Sequence, residues 1–306
     1  MENATLLGSD VTTVTCHAVA ILDLLIEPYF LYLVVRYSSP SMAVYRWVLL
    51  SVSLCNVSFA VVFGILWAAQ ASLQGYLLCL PSSYFNSDAT VFMLALSTLF
   101  LFGQLQLLLI MLFYACSSIF CPFRVQKFRE RRTVLLIVAF TVAPCFFIIP
   151  CELLMLKQKN CLDLTPGLPM LILVLVMTLY FTSYTCASYY MLYRIGRFLK
   201  NPTSMASPQT IAFVRTARRN FISFVLTIVA MDVVPLFLII ICFATFSLLQ
   251  PKSVLVSALF TVVSTSISGY SFVSTIVTIV VTTPFSKKTV QIFRTVAMSS
   301  VLPHDA

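Results

Sequence analysis

Seven long, nearly uncharged apolar stretches set the first constraint on what this chain can become. They run approximately from Val14 to Val35, Tyr45 to Ala69, Ala89 to Ala115, Thr133 to Glu152, Leu168 to Tyr193, Asn220 to Phe246 and Val254 to Thr282. A hydrocarbon core of about 30 Å takes about 20 apolar residues to cross as a helix. Backbone polar groups in lipid must pair internally, so the choice lies between helices and a closed barrel. Runs such as VLLIVAF (134–140) and FLIIICF (237–243) lack the in–out alternation of barrel strands, and each stretch is too long for one. The expectation is an all-α membrane protein: one seven-transmembrane helix bundle over residues 1–306. Composition agrees, with 60% hydrophobic and 9% charged residues, against about 45–50% and about 25% in soluble domains.

The first stretch lacks the basic flank of a signal peptide, since Glu2 and Asp10 stand there. Arg194–Arg219 is the longest polar segment, contains Pro202 and Pro208, and reads as a loop. No repeat links the two halves, which weakens a transporter reading.

An odd number of crossings separates the termini. Of the 19 Lys and Arg, all but Lys157, Lys159 and Lys252 fall on the side away from the N-terminus. Basic residues in short loops stay cytoplasmic, so the N-terminus is expected outside and the C-terminus inside. The formal net charge of +9 thus faces anionic inner-leaflet lipid and a cytosolic partner rather than nucleic acid. Asn3-Ala4-Thr5 fits a glycosylation acceptor outside, making Asn3 a candidate. After the last stretch, residues 284–297 place Val290, Phe293 and Ala297 at helical spacing, with Ile292 beside them and Lys288 and Arg294 interleaved. That pattern predicts a short amphipathic helix on the inner leaflet.

Enzyme chemistry fails on inventory. The chain has two histidines, His17 and His304, and neither HExxH nor GxSxG. No cofactor is implied. A retinal Schiff base is excluded because Lys252 precedes the last stretch instead of lying within it.

Ten cysteines divide by compartment. Cys55, Cys145, Cys186 and Cys242 read as small packing residues. Cys116 and Cys121 are free thiols or palmitoylation sites. Cys79 and Cys161 fall in outer loops, where a bridge would narrow a pocket mouth; Cys151 and Cys16 compete for the same pairing.

Intramembrane acids are functional candidates by default. Asp23 and Glu27 share one face of the first helix at i, i+4, and in a low dielectric they would not both ionise easily. Either they hold a cation or proton, or they face the bundle and hydrogen-bond to the Ser/Thr-rich last helix. Asp232 precedes Pro235 by three residues. The proline removes a backbone bond and kinks the sixth helix, so Pro235 is a candidate hinge; a fixed kink is the alternative. Met93, Ser97, Phe100, Thr178, Phe181, Phe237, Thr261 and Ser264, with Asp232, are candidates for an outward-facing pocket. Such a lining, apolar with a few hydroxyls and no carboxylate in the third helix, suits a small, largely neutral organic ligand. Ordinary helix packing accounts for the same residues. Arg124, Lys127, Arg129, Arg131, Arg132, Arg215, Arg218 and Arg219 are candidates for a partner surface on the inner face; topology signals alone account for them equally.

Two motifs carry a resemblance. Ser39-Pro40-Ser41-Met42-Ala43-Val44-Tyr45-Arg46-Trp47 resembles the Ser/Thr-Pro-x-x-Met turn of nematode serpentine chemoreceptors, which leads into a basic residue and an aromatic. Gly269-Tyr270-Ser271-Phe272-Val273-Ser274-Thr275-Ile276, continuing to Thr283-Pro284-Phe285, resembles their seventh helix and its Pro-Tyr-Arg exit. Phe285-Ser286 stands where Tyr-Arg is usual. The nearest classes are h and i. The resemblance implies a chemosensory G-protein-coupled receptor in the plasma membrane of sensory-neuron cilia, with a heterotrimeric G protein as partner. A small cation- or proton-coupled transporter or channel using Asp23, Glu27 and Asp232 is the competing reading.

Overall fold

In the computed structural model, which describes residues 2–38, 43–67, 72–74, 77–80, 87–121, 128, 130–157, 161–201, 207–234 and 253–301, the apolar stretches are helices. Helix α1 spans Glu2–Tyr37 and α2 spans Ala43–Phe59, continued by a π-helical segment, Ala60–Trp67. Next come α3 (Ser87–Phe120), α4 (Arg131–Val142), α5 (Cys145–Met155) and α6 (Leu168–Lys200). Helix α7 (Pro208–Ile228) continues as a π-helical turn, Val229–Val233, and is followed by α8 (Ser253–Val281) and α9 (Thr283–Val301). Among the described residues, six helical segments are long and apolar enough to cross a membrane: 11–37, 44–67, 89–120, 131–155, 168–200 and 261–281. The chain is a multi-pass, predominantly helical membrane protein. The expected crossing at 220–246 is helical as far as Val234, and the rest of it lies outside the described residues.

Helix α3 is the centre of the bundle, packing on α2, α4, α5, α6 and α7. Every residue from Phe102 to Leu112 is buried, which explains why apolar residues occupy all sides of this stretch instead of one stripe, with Gln104 and Gln106 buried among them. Helices α4, α5 and α6 lie at the periphery. Leu135 and Leu136 are each 69% exposed and Phe146 is 73% exposed. Water would penalise such a surface, whereas lipid tails accept it.

Three departures from the sequence reading have local causes. The segment 194–219 is mostly helix, not loop. Ile195 and Phe198 continue the buried stripe of α6 to Lys200. Pro208 then sits in the first turn of α7, where a missing N–H costs nothing, and the Ser207 hydroxyl caps it by accepting from the Thr210 amide at 3.1 Å. The fourth crossing is broken at Ala143–Pro144, where Pro144 has no N–H to give and its carbonyl takes both Phe147 and Ile148 amides. Finally, four strands occur where only loops were expected: β1 (Ser72–Gln74), β2 (Leu77–Cys79), β3 (Leu156–Lys157) and β4 (Cys161–Asp163). They form one antiparallel sheet in the order β1-β2-β4-β3 at the end of the bundle opposite the basic residues.

The segment after α8 is a helix, α9, somewhat longer than expected. Phe285 is buried edge-to-face on Phe30 of α1. The Tyr29 hydroxyl bonds Thr289 at 2.8 Å, while Val290 and Phe293 face outward. The side chain of Ala297 lies outside the described residues.

Candidate functional site

The buried face of α1 steps through Cys16, Ala20, Asp23, Glu27 and Phe30, the three-to-four spacing of a single helical stripe. Facing it, α8 presents Ser264, Ser268, Ser271, Ser274, Thr275 and Thr278, all buried. Small hydroxyl residues let two helices approach closely in lipid, where apolarity itself gives no attraction between them. The π-helical segment after α2 closes the third side. A Cβ on Gly64 would lie 2.7 Å from the Ala20 Cβ and 3.2 Å from the Ser268 Oγ, so only glycine fits there.

Within this seam the two carboxylates part ways. Glu27 is fully buried and accepts from Ser53 Oγ, from Asn56 Nδ2 at 3.2 Å and from Thr275 Oγ1 at 2.6 Å. Three donors from two helices make a buried carboxylate tolerable and tie α1 to α2 and α8. Asp23 is equally buried, yet neither of its oxygens has a hydrogen-bond partner among the described residues. Hydrogen bonding to the last helix therefore describes Glu27 and not Asp23.

The candidate pocket residues fall in separate places. Met93 packs with Val62 and Trp67, and Phe100 lies against the same cluster. Ser97 is buried, and its hydroxyl has no partner among the described residues. Thr261 bonds Thr12 of α1 at 2.8 Å, and Ser264 is buried nearby on the same helix. Thr178 is exposed and turns its hydroxyl back to the Val174 carbonyl at 2.7 Å. Phe181 is largely exposed beside Phe102 and Tyr180. Phe237 and Pro235 lie outside the described residues; Asp232 is on the described π-helical turn, but its side chain is not described. A cavity of about 780 Å³ opens toward the other end of the bundle, between α3, α4 and α6, lined by Ile110, Phe113, Ile137, Tyr190 and Met191 among others.

Sequence reasoning places Glu152 at the outer end of the fourth stretch, with no role in the pocket. It lies near the end of α5 and turns toward α3, where both carboxylate oxygens take the Thr98 hydroxyl at 3.1 and 3.0 Å. Thr98 neighbours Ser97, so one acidic group stands close to the expected apolar lining. A carboxylate at the very edge of an apolar stretch gives no sign of which way it turns.

Cys79 and Cys161 face each other across β2 and β4 and form a disulfide. The bridge ties the connection after α2 to that between α5 and α6. Cys16 and Cys151 are free and buried, and Cys116 and Cys121 are free and half-buried.

At the basic end, Asn220 of α7 donates to the Tyr45 hydroxyl at 2.6 Å and to Thr282 Oγ1 at 2.8 Å. One amide thus joins α7, α2 and the junction of α8 with α9. The available sequence signal was a lone polar residue in the buried stripe Phe213, Val214, Ala217, Asn220, Phe221, Phe224. On the opposite side of α7, Arg215 and Arg219 are exposed, while Arg218 lies half-buried beside Gly196 of α6. Arg131 and Arg132 are exposed at the start of α4. Arg124, Lys127 and Arg129 lie outside the described residues, and the side chain of Asn3, within α1, is not described.

The fold and seam define a class, a multi-pass helical membrane protein with a buried polar interface. No protein-family model matches the chain, and no curated protein matches it.

Proposed function

We propose that the chain is a chemosensory receptor of the plasma membrane, in sensory-neuron cilia where the chemoreceptor resemblance holds. In this reading it crosses the bilayer seven times with its N-terminus outside. It passes the binding of a small, largely neutral organic ligand to a heterotrimeric G protein on the cytoplasmic side. The carrying observation is the Asn220–Tyr45–Thr282 junction, a three-helix polar lock one turn from Arg215, Arg218 and Arg219. Above it, α7 changes to the wide π-helical turn Val229–Val233 just before Pro235. Such turns and prolines are where helices bend.

The mechanism follows from these parts. Ligand in the outer half shifts the packing of the π-helical turn Val229–Val233. The bend relays that shift to Asn220, whose bonds exchange, and the basic face of α7 takes a second position. A ligand shifts such a balance only by its differential affinity for the two packings. Glu152 accepts one shared hydrogen bond from the Thr98 hydroxyl.

A screen of volatile and water-soluble odorants in cells reporting calcium or cyclic nucleotides tests the reading. The expected result is a ligand response that requires a G protein, with Asn220→Ala raising the unstimulated signal. Asp23, buried and without a hydrogen-bond partner among the described residues, favours the second reading, a small cation- or proton-coupled transporter or channel. Current or flux without any G protein, abolished by Asp23→Asn, would establish that reading instead.

A further inference from the structure

We propose that Asp23 anchors a monovalent-cation site in the seam between α1, the π-helical segment after α2, and α8. The position follows from register. One turn toward the N-terminus, Ala20 packs on Gly64 and Ser268. One turn the other way, Glu27 reaches Asn56 and Thr275. Asp23 lies between those levels on α1, and counting along the two neighbours from the same contacts brings Ala60, where α2 becomes π-helical, and Ser271 of α8 to about its height; both are buried.

Three observations favour a cation over a bare carboxylate. An ionised side chain with no partner in this setting carries a large desolvation penalty. A protonated one leaves a buried O–H and carbonyl unsatisfied, which is also costly. Next, the Ser268 and Ser271 hydroxyls and the Cys16 and Asn56 carbonyls they approach offer oxygen, which hard cations prefer. The Ser271 hydroxyl reaches the Asn56 carbonyl only at 3.4 Å, and the Ser268 hydroxyl reaches the Cys16 carbonyl only at 3.5 Å, so both oxygens remain open to a stronger partner. Lastly, a divalent ion is disfavoured. Glu27 is fully engaged by its three donors, and no group of three or more His, Cys, Asp or Glu able to hold a metal occurs among the described residues. The site is independent of the receptor reading, because it rests on the seam alone.

The test uses the full chain in detergent, unfolded by heat at constant ionic strength with sodium, potassium or choline as the cation. Trp47 and Trp67 supply the fluorescence signal. The expected result is a saturable rise in melting temperature with sodium or potassium relative to choline. Asp23→Asn removes the dependence, and Glu152→Gln keeps it. Ser271→Ala moves the half-saturating concentration several-fold higher, and it serves as the deciding variant where Asp23→Asn does not fold. Equal melting in all three salts would overturn the proposal and leave a buried neutral carboxyl. So would an unchanged midpoint in Ser271→Ala, or a cation response that persists in Asp23→Asn.

Discussion

The seam between α1 and α8 and the outer faces of α4, α5 and α6 are built from the same kind of apolar stretch, yet they behave as opposites. In the seam, two acids, an asparagine and a row of hydroxyls are buried. On α4 to α6, leucines and phenylalanines stand exposed. Hydrophobicity drives a segment into the bilayer but does not choose its neighbour there, because lipid is as apolar as leucine. Partner choice falls to close packing and to the few polar groups that need each other.

That contrast can be broken most sharply at Glu27. Glu27→Leu strands the Ser53, Asn56 and Thr275 donors, each unsatisfied group costing about 1–3 kcal/mol. Size-exclusion chromatography in mild detergent should show near-total loss of monodisperse protein; wild-type yield would mean that the seam does not hold the bundle. Cys161→Ser comes next, with an expected loss of about 2–4 kcal/mol, read as a lower melting temperature. The pair Cys79→Ser with Cys161→Ser should lose no more than either alone. Gly64→Val forces a side chain onto Ala20 and should cost about 1–3 kcal/mol by the same assay. Asn220→Ala leaves the buried Tyr45 and Thr282 hydroxyls without that partner, again about 1–3 kcal/mol for each unsatisfied group, read as a lower melting temperature. At the lower end, Leu136→Ala on the lipid face should stay within about 0.5 kcal/mol of wild type; a larger drop would place that face against protein.

How much of this was legible beforehand follows the same division. Six of the seven expected crossings coincide with helical spans among the described residues, because hydropathy reads insertion directly. The end of α6 was misjudged because Arg194 and Arg197 look like loop residues, while the buried Ile195 and Phe198 between and beyond them keep the helix going. The sheet left no pattern, since strands of two or three residues are too short to show alternation. Spacing placed Asp23 and Glu27 on one face, but nothing in it says that Glu27 meets Ser53, Asn56 and Thr275 while Asp23 meets no donor among the described residues. That distinction belongs to α2 and α8, far away in sequence. Likewise, Asn220 stood out as one polar residue in an apolar stripe, whereas Tyr45 and Thr282 became its partners only through folding.

Everything proposed about signalling depends on the basic ends of α4, α6 and α7 facing the cytosol across seven crossings. Epitopes placed at each terminus and stained on intact and permeabilised cells measure this directly. The expected outcome is an amino-terminal tag stained on intact cells and a carboxy-terminal tag stained only after permeabilisation. A carboxy-terminal tag reached from outside, or both tags on the same side, would contradict the receptor arrangement.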